Sequence, residues 1–415
     1  MSLPLKTLPI VERWDCHQCG FCCRGSIVPL NEGDVARLRE QRWDDRPSDQ
    51  RISPMTPLAG RAEKFQLAKR PDGSCVFLME DGLCRIHKEF GFAAKPLICR
   101  MFPLLIVPHE KQAILTIRRA CPSAAGDLGK ELAQQMPEAL AYAEEGKLLE
   151  RGWPAPPIKP GDAADWKRAR VVLEALRRIT NDERYPPIRR LVHGLEFCRL
   201  LEAAETKDFD EKRLAELAQV LEEHIAAESA VHFAERTSPG GLTKVLFRQM
   251  ALDVVRLHPR TWQAATWTTR CKLPGWAWKM IRGQGKLPRV HEKFPEATFA
   301  QLEEPLGRLD PILVKAFARY FETSTASYQF ALADKSGWSI IESYRELALL
   351  YPLGLWLMRW ATAGRSPTAD DMYETICMLD RAQGYAPLAG AKQRGRIKRF
   401  AQLGELPKLV AWYGR

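Results

Sequence analysis

"CHQCGFCCRG", residues 16–25, places four thiols within eight positions and ends in the adjacent pair Cys22-Cys23. Such a run serves as a disulfide staple, a zinc knot, the bed of an iron–sulfur cluster, or a patch of small buried hydrophobes. The wider cysteine count narrows the choice. Of eleven cysteines, eight lie in the first 121 residues: Cys16, Cys19, Cys22, Cys23, Cys75, Cys84, Cys99 and Cys121. Cys198, Cys271 and Cys377 are scattered through the rest and read as lone buried thiols. The asymmetry divides the 415 residues in two. A small mixed α+β, loop-rich cysteine-cluster domain is expected over 1–126, followed by an all-α domain over 127–415, so that the chain is mainly α.

The hydrophobic pattern supports that division. "NEGDVARLREQRW" (31–43) offers Asn31 as an N-cap and acids in its first turn, the start of a helix. "CVFLMEDGLCRIH" (75–87) reads as a β-hairpin turning at Asp81-Gly82, and "AILTIRR" (113–119) as a short strand. From Asp127 onward apolar residues recur at helical spacing, for example in "WKRARVVLEALRRI" and "IRRLVHGLEFCRLLEAAE". Further helices are expected over 311–331, 337–363 and 367–383, with the Pro-rich "GWPAPPIKPG" (152–161) as a semi-rigid connector.

Disulfides fit poorly, because neighbouring cysteines bridge badly and a reducing compartment is expected. With a two-residue turn at 81–82, Cys84 faces Met79 and stands roughly 13 Å from Cys75. That is too far for a bridge, and too far for one zinc unless the turn is wider. Metal binding has better geometry. C-x2-C turns two thiolates onto one ion, and Cys16, Cys19 and Cys22 repeat that spacing, with Cys121-Pro122 as a remote partner of ferredoxin type. In extended chain Cys22 and Cys23 point to opposite sides, so eight thiols divide naturally into two sets of four. Residues 1–126 carry 19 Lys and Arg against 14 Asp and Glu, an excess that two four-thiolate divalent centres would roughly cancel. Arg24, Arg100, Arg118 and Arg119 stand near the thiols in sequence as candidate N–H donors to sulfur. His87 reads as an outer residue, and Met79, Phe90, Phe92 and Phe102 as packing around the centre. Spacing alone leaves zinc and a [4Fe–4S] cluster both open.

The bulk properties exclude several classes. A net charge of +11 permits an acidic partner, yet "KQRGRIKRF" (392–400) reads as a solvated helix face, so nucleic acid is not expected. "LALLYPLGLWLM" (347–358) is broken by Pro352 and too short for a bilayer, so it reads as a buried helix and no membrane role is expected. The N-terminal stretch lacks an apolar secretory core, which makes the cytoplasm the expected location. No Ser-His-Asp order, HExxH or P-loop occurs.

The ordered pieces "CHQCGFCCRG", "CVFL", "DGLCRIHKEFG", "KPLICRMFP" and Cys121 together resemble the CxxCxxCC cysteine-cluster family, described as zinc- or iron-chelating and related to flagellin lysine-N-methylases. The resemblance implies that Cys16, Cys19, Cys22, Cys23, Cys75, Cys84, Cys99 and Cys121 are metal ligands. "LVKAFARYFETSTASYQFALADKSGWSIIESYRELALLYPLGLWLMR" is similar to the C-terminal part of the methylases. That similarity implies an iron–sulfur centre, S-adenosylmethionine as donor and a protein lysine as acceptor. The chain departs from it in lacking a Gly-rich donor loop, since "RGQGK" (282–286) follows no strand, and in lacking C-x3-C-x2-C. The four tryptophans between 262 and 278, or Tyr320, Tyr328, Tyr344 and Tyr351, are the aromatic candidates for an acceptor pocket. Two functions therefore stand side by side: a protein-lysine methylase, and a non-enzymatic metal or redox module with a helical partner-binding domain.

Overall fold

The computed structural model describes residues 2–58, 61–163, 165–234, 237–256, 267–290, 294–307, 309–333, 335, 337–384 and 390–415. It is mainly helical, with short strands confined to the first 131 residues. In the N-terminal sheet, strand Ala113–Ile117 runs antiparallel to Leu104–Pro108 and parallel to Leu5–Thr7. All five residues of the central strand are buried: Ala113, Leu115 and Ile117 share one core with Ala139, Tyr142 and Ala143 of helix Met136–Glu145, while Thr116 turns to the other face and bonds Glu12. Leu132 and Leu149 complete this core, which therefore extends beyond residue 126.

A second, smaller core carries most of the cysteine segment. Asn31 caps helix Glu32–Glu40 through a capping box with Asp34, as its sequence leads one to expect. Leu38 of that helix joins Trp43, Leu67, Phe77 and Ile86, with Cys75, Cys84 and Cys99 packed at the margin. The antiparallel pair Met55–Leu58 and Arg61–Leu67 forms one wall of it.

The remainder is built around helix Ile340–Ala361. Ser339 caps it with Glu342, and residues 340–360 are buried on every side, as an apolar helix inside a bundle must be. No helix among the described residues is long and apolar enough to cross a membrane. Gly194 of helix Pro187–Ala203 permits the closest crossing, since a Cβ there would lie 2.0 Å from the Tyr344 hydroxyl. The Pro-rich segment is extended and tied at both ends: Trp153 N–H donates to the Pro108 carbonyl (3.2 Å) and Pro157 accepts from Ile340 N–H (2.8 Å). Helix Ala369–Gly384 packs against the short helix Pro122–Ala125 and so joins the bundle to the cysteine segment.

Candidate metal centre

All eleven cysteines are free thiols. Five of them, Cys22, Cys23, Cys75, Cys84 and Cys99, line one pocket of about 70 Å³ together with Lys69, Lys95, Phe77 and Phe102. Three local features bring them together. Cys22 and Cys23 sit on the 3-10 turn Phe21–Cys23 rather than in extended chain. Three residues per turn rotate neighbours by about 120°, so both thiols reach the same pocket instead of opposite sides. Cys75 N–H then donates to the Cys23 carbonyl (2.7 Å) and pins the two segments side by side. Cys99 comes from the short helix Leu97–Met101, whose first amide is held by the Asp34 carboxylate (2.9 Å).

The expected β-hairpin over 75–87 does not form: the segment has no strand, only isolated bridges at Cys75 and between Leu78 and Cys84, and it runs straight into helix Arg85–Phe90. Met79 pairs with Leu83 and Arg85 with Phe77, so Cys84 faces Leu78, not Met79, and the loop holds three residues. Asp81 accepts from Leu83 N–H (3.0 Å), and Gly82 takes the positive φ that such a loop requires. Beyond Phe77 the chain curls, with Leu78 N–H donating to the Cys75 carbonyl (3.0 Å), so Cys75 swings back toward Cys84. The estimated gap between these thiols does not arise. Gly20, also at positive φ, lets the loop tip approach; a Cβ there would stand 3.0 Å from the Gly82 carbonyl oxygen.

The remaining three sequence candidates lie outside this pocket. Cys16 and Cys19 are exposed. Cys121 caps helix Pro122–Ala125 and stands within electrostatic reach of Cys22. Among the described residues no three Cys, His, Asp or Glu side chains converge into a closed ligating group, so the thiols share a space without being drawn onto a point.

Burial raises several of these thiols above their ordinary range, pushing Cys75 and Cys121 up to about 11 and Cys99 well above that range. Cys22 is raised by its hydrogen bond with Cys23, then by its surroundings, while Lys95 and Arg381 pull it the other way. Backbone amides supply the donors to sulfur: Phe77 toward Cys75, and Ser123 and Ala124 toward Cys121. Three of the four arginines expected in that role are engaged elsewhere. Arg100 forks onto Glu145 (2.6 and 2.7 Å), Arg119 bonds Glu12 (3.1 Å), and Arg118 faces Asp380 at 3.9 Å.

Other sequence expectations also resolve. Phe90 and Phe92 are 44% exposed, the first set edge-on to Trp43 and the second to His87, so neither is core. His87 is itself exposed and does not line the pocket. Cys198 and Cys377 are fully buried, whereas Cys271 is exposed on helix Trp267–Arg282, turned away from the bundle. Trp262 lies outside the described residues, and Trp278 is 60% exposed. The basic run over 392–400 is paired within the fold, Arg396 with Asp253 (2.6 Å) and Arg394 with Glu342 (2.8 Å). Sequence reasoning missed Lys95, Asp380 and Arg381, the last two because nothing local links a distant helix to the thiols.

Residues 15–122, which hold all eight N-terminal cysteines, match the model of the CxxCxxCC family, described as "Putative zinc- or iron-chelating domain". An uncharacterized protein of Methanocaldococcus jannaschii is 27% identical over 131 residues, 31% of this chain and 43% of that protein, so the match spans under half of the relative. No solved structure gives a significant match. Residues 15–122 are thus similar to the CxxCxxCC family, and the similarity does not extend over the helical bundle.

Proposed function

We propose that the chain is a metal-binding module in which thiolates of the cysteine segment hold zinc or iron and the helical bundle serves as its scaffold. The observation that carries this is the single pocket shared by Cys22, Cys23, Cys75, Cys84 and Cys99. Thiols are soft donors suited to zinc and to iron–sulfur clusters, and backbone amides already point at two of them. Cys23, Cys75, Cys84 and Cys99 would hold one centre. Cys16, Cys19, Cys22 and Cys121 would supply the second, because Cys22, although it lines the pocket, is also within electrostatic reach of Cys121. Bound metal would cross-link the small core and exclude water from the pocket; an iron–sulfur cluster would add one-electron chemistry.

Anaerobic purification followed by metal and acid-labile sulfide analysis tests the reading. Zinc without sulfide, or iron with it, is the expected result, and Cys99→Ser should lower the metal content while Cys198→Ser leaves it intact. Protein that retains neither metal and whose thiols all react freely with a thiol reagent would sink the proposal.

Methyl transfer is the second reading, and one feature speaks for it. Tyr320, Tyr344 and Tyr351 are packed in the bundle core, but Tyr328 opens onto a cleft of about 470 Å³ with His109, Glu174 and Glu322. Glu174 and Glu322 are held there by Arg177 (2.7 Å) and Arg190 (3.0 Å), so an amine would have to displace those arginines to reach the carboxylates beside the ring. Labelled S-adenosylmethionine incubated with the protein and lysate of its own cell decides the matter: unlabelled lysate proteins and no donor binding by calorimetry leave the module alone standing.

A further inference from the structure

Helix Ala369–Gly384 lies far outside the segment that resembles a metal-chelating domain, yet one of its faces meets both cysteine-bearing turns. Tyr373, Cys377 and Arg381 recur at four-residue spacing, and Asp380 stands three residues after Cys377, so the four lie on neighbouring parts of one face. The Arg381 guanidinium, from a residue 3% exposed, donates through Nη2 to the Arg24 carbonyl (2.9 Å) and the Ser26 hydroxyl (3.1 Å), and lies 5.7 Å from the Phe21 ring. These contacts enclose the turn that carries Cys22 and Cys23. Asp380, 1% exposed, accepts from Ala120 N–H at 2.9 Å, one residue before Cys121. The Tyr373 ring closes on Gly126, where a Cβ would stand 2.9 Å from it. Cys377 is fully buried behind, within electrostatic reach of Cys121 and Cys19.

We infer that Arg381 and Asp380 are positioning residues of the metal centre: Arg381 sets the Phe21–Ser26 turn and Asp380 sets the approach to Cys121. This rests on the metal-binding reading proposed above. The chemistry favours such a role. A buried guanidinium beside a thiolate set offsets negative charge without competing for the metal, because it has no lone pair to offer. Two buried side chains on adjacent positions, each bonded to a different cysteine turn, also fix the distance between those turns. A helix that merely packed would need neither charge in its buried face.

The test uses the full chain purified with its metal. Arg381→Gln, Arg381→Lys and Asp380→Asn are compared with the unaltered protein for metal per chain, for release rate to a colorimetric chelator, and for hydrogen exchange. Arg381→Gln should release metal about tenfold faster, the scale of lost outer partners, with faster exchange over 21–26. Asp380→Asn should show the same loss with the exchange change over 118–125 instead. Lysine at 381 keeps the charge and should rescue release in part, and it carries the test where the glutamine variant fails to fold. Release within about twofold of the unaltered protein in all folded variants would overturn the inference, as would exchange rising equally throughout the bundle. An unaltered protein that holds neither zinc nor iron would overturn the metal reading itself, a distinct result.

Discussion

Glu12 and Arg119 show what a single pair of side chains contributes beside the thiols. Both are at most 2% exposed; Glu12 accepts from Arg119 (3.1 Å) and from Thr116 (2.8 Å), and Arg119 also bonds the Ala124 carbonyl (2.6 Å). The trio braces the chain on either side of Cys121. Arg119 keeps a longer contact with Asp127 (3.5 Å), so Glu12→Ala leaves its charge only partly paired and should cost about 3 kcal/mol in urea unfolding, the low end for breaking a buried pair. Burial, partly opposed by Arg119, raises the Glu12 carboxyl to about 6 from 4.5. A raised carboxyl means that the folded state holds the proton more tightly. The stability linked to it is complete below pH 4.5 and is lost as pH rises through 6. Glu12→Gln should flatten stability across that window, and an unchanged slope would count against the burial account. None of this was legible in the sequence. Arg119 stood out only as a neighbour of Cys121, and a partner more than a hundred residues away leaves no local mark.

Elements were legible where their causes are local. Asn31, Asp34 and the apolar spacing of helix Glu32–Glu40 lie within a few residues of one another, and the cap forms as read. Asp34 also holds Leu97 N–H, the first amide of the helix that presents Cys99, and that second task is tertiary. The two substitutions should therefore separate. Asn31→Ala should cost about 1 kcal/mol of stability with little effect on metal release. Asp34→Ala should destabilise more and also hasten release, measured with the same chelator, because the Cys99 helix loses its anchor. Equal release rates in the two variants would mean that the Leu97 bond does not position Cys99. The hairpin expected over 75–87 shows the opposite limit. Strand parity makes a one-residue change of loop length reassign every facing pair, so reading two loop residues for three put Met79 where Leu78 stands. The Asx turn at Asp81 is local to the loop, but the close approach of Gly20 to Gly82, which accompanies it, depends on the neighbouring cysteine turn.

At the scale of the whole molecule the two parts differ in what holds them. The bundle has an extensive core around the fully buried helix Ile340–Ala361, and its helices were readable because apolar periodicity is a local signal. The cysteine segment rests on Leu38, Trp43, Leu67, Phe77 and Ile86, too few buried side chains to offset the ordering of some eighty residues unaided. Metal links between sequence-distant turns, as proposed above, would supply what that core lacks, and binding free energy there would become folding free energy. Chelation should therefore act unevenly. Hydrogen exchange should rise over residues 16–99 on metal removal while helices Trp166–Thr180 and Ile340–Ala361 keep their protection. The sheet strand Ala113–Ile117, packed against helix Met136–Glu145, should also hold, because its core does not involve the pocket. Thermal unfolding of the chelated chain should accordingly split into an early step confined to the cysteine segment and a late one for the bundle. A chelated chain that unfolds in one step at its original temperature would show that the small core stands without metal, and that the thiols serve chemistry rather than structure.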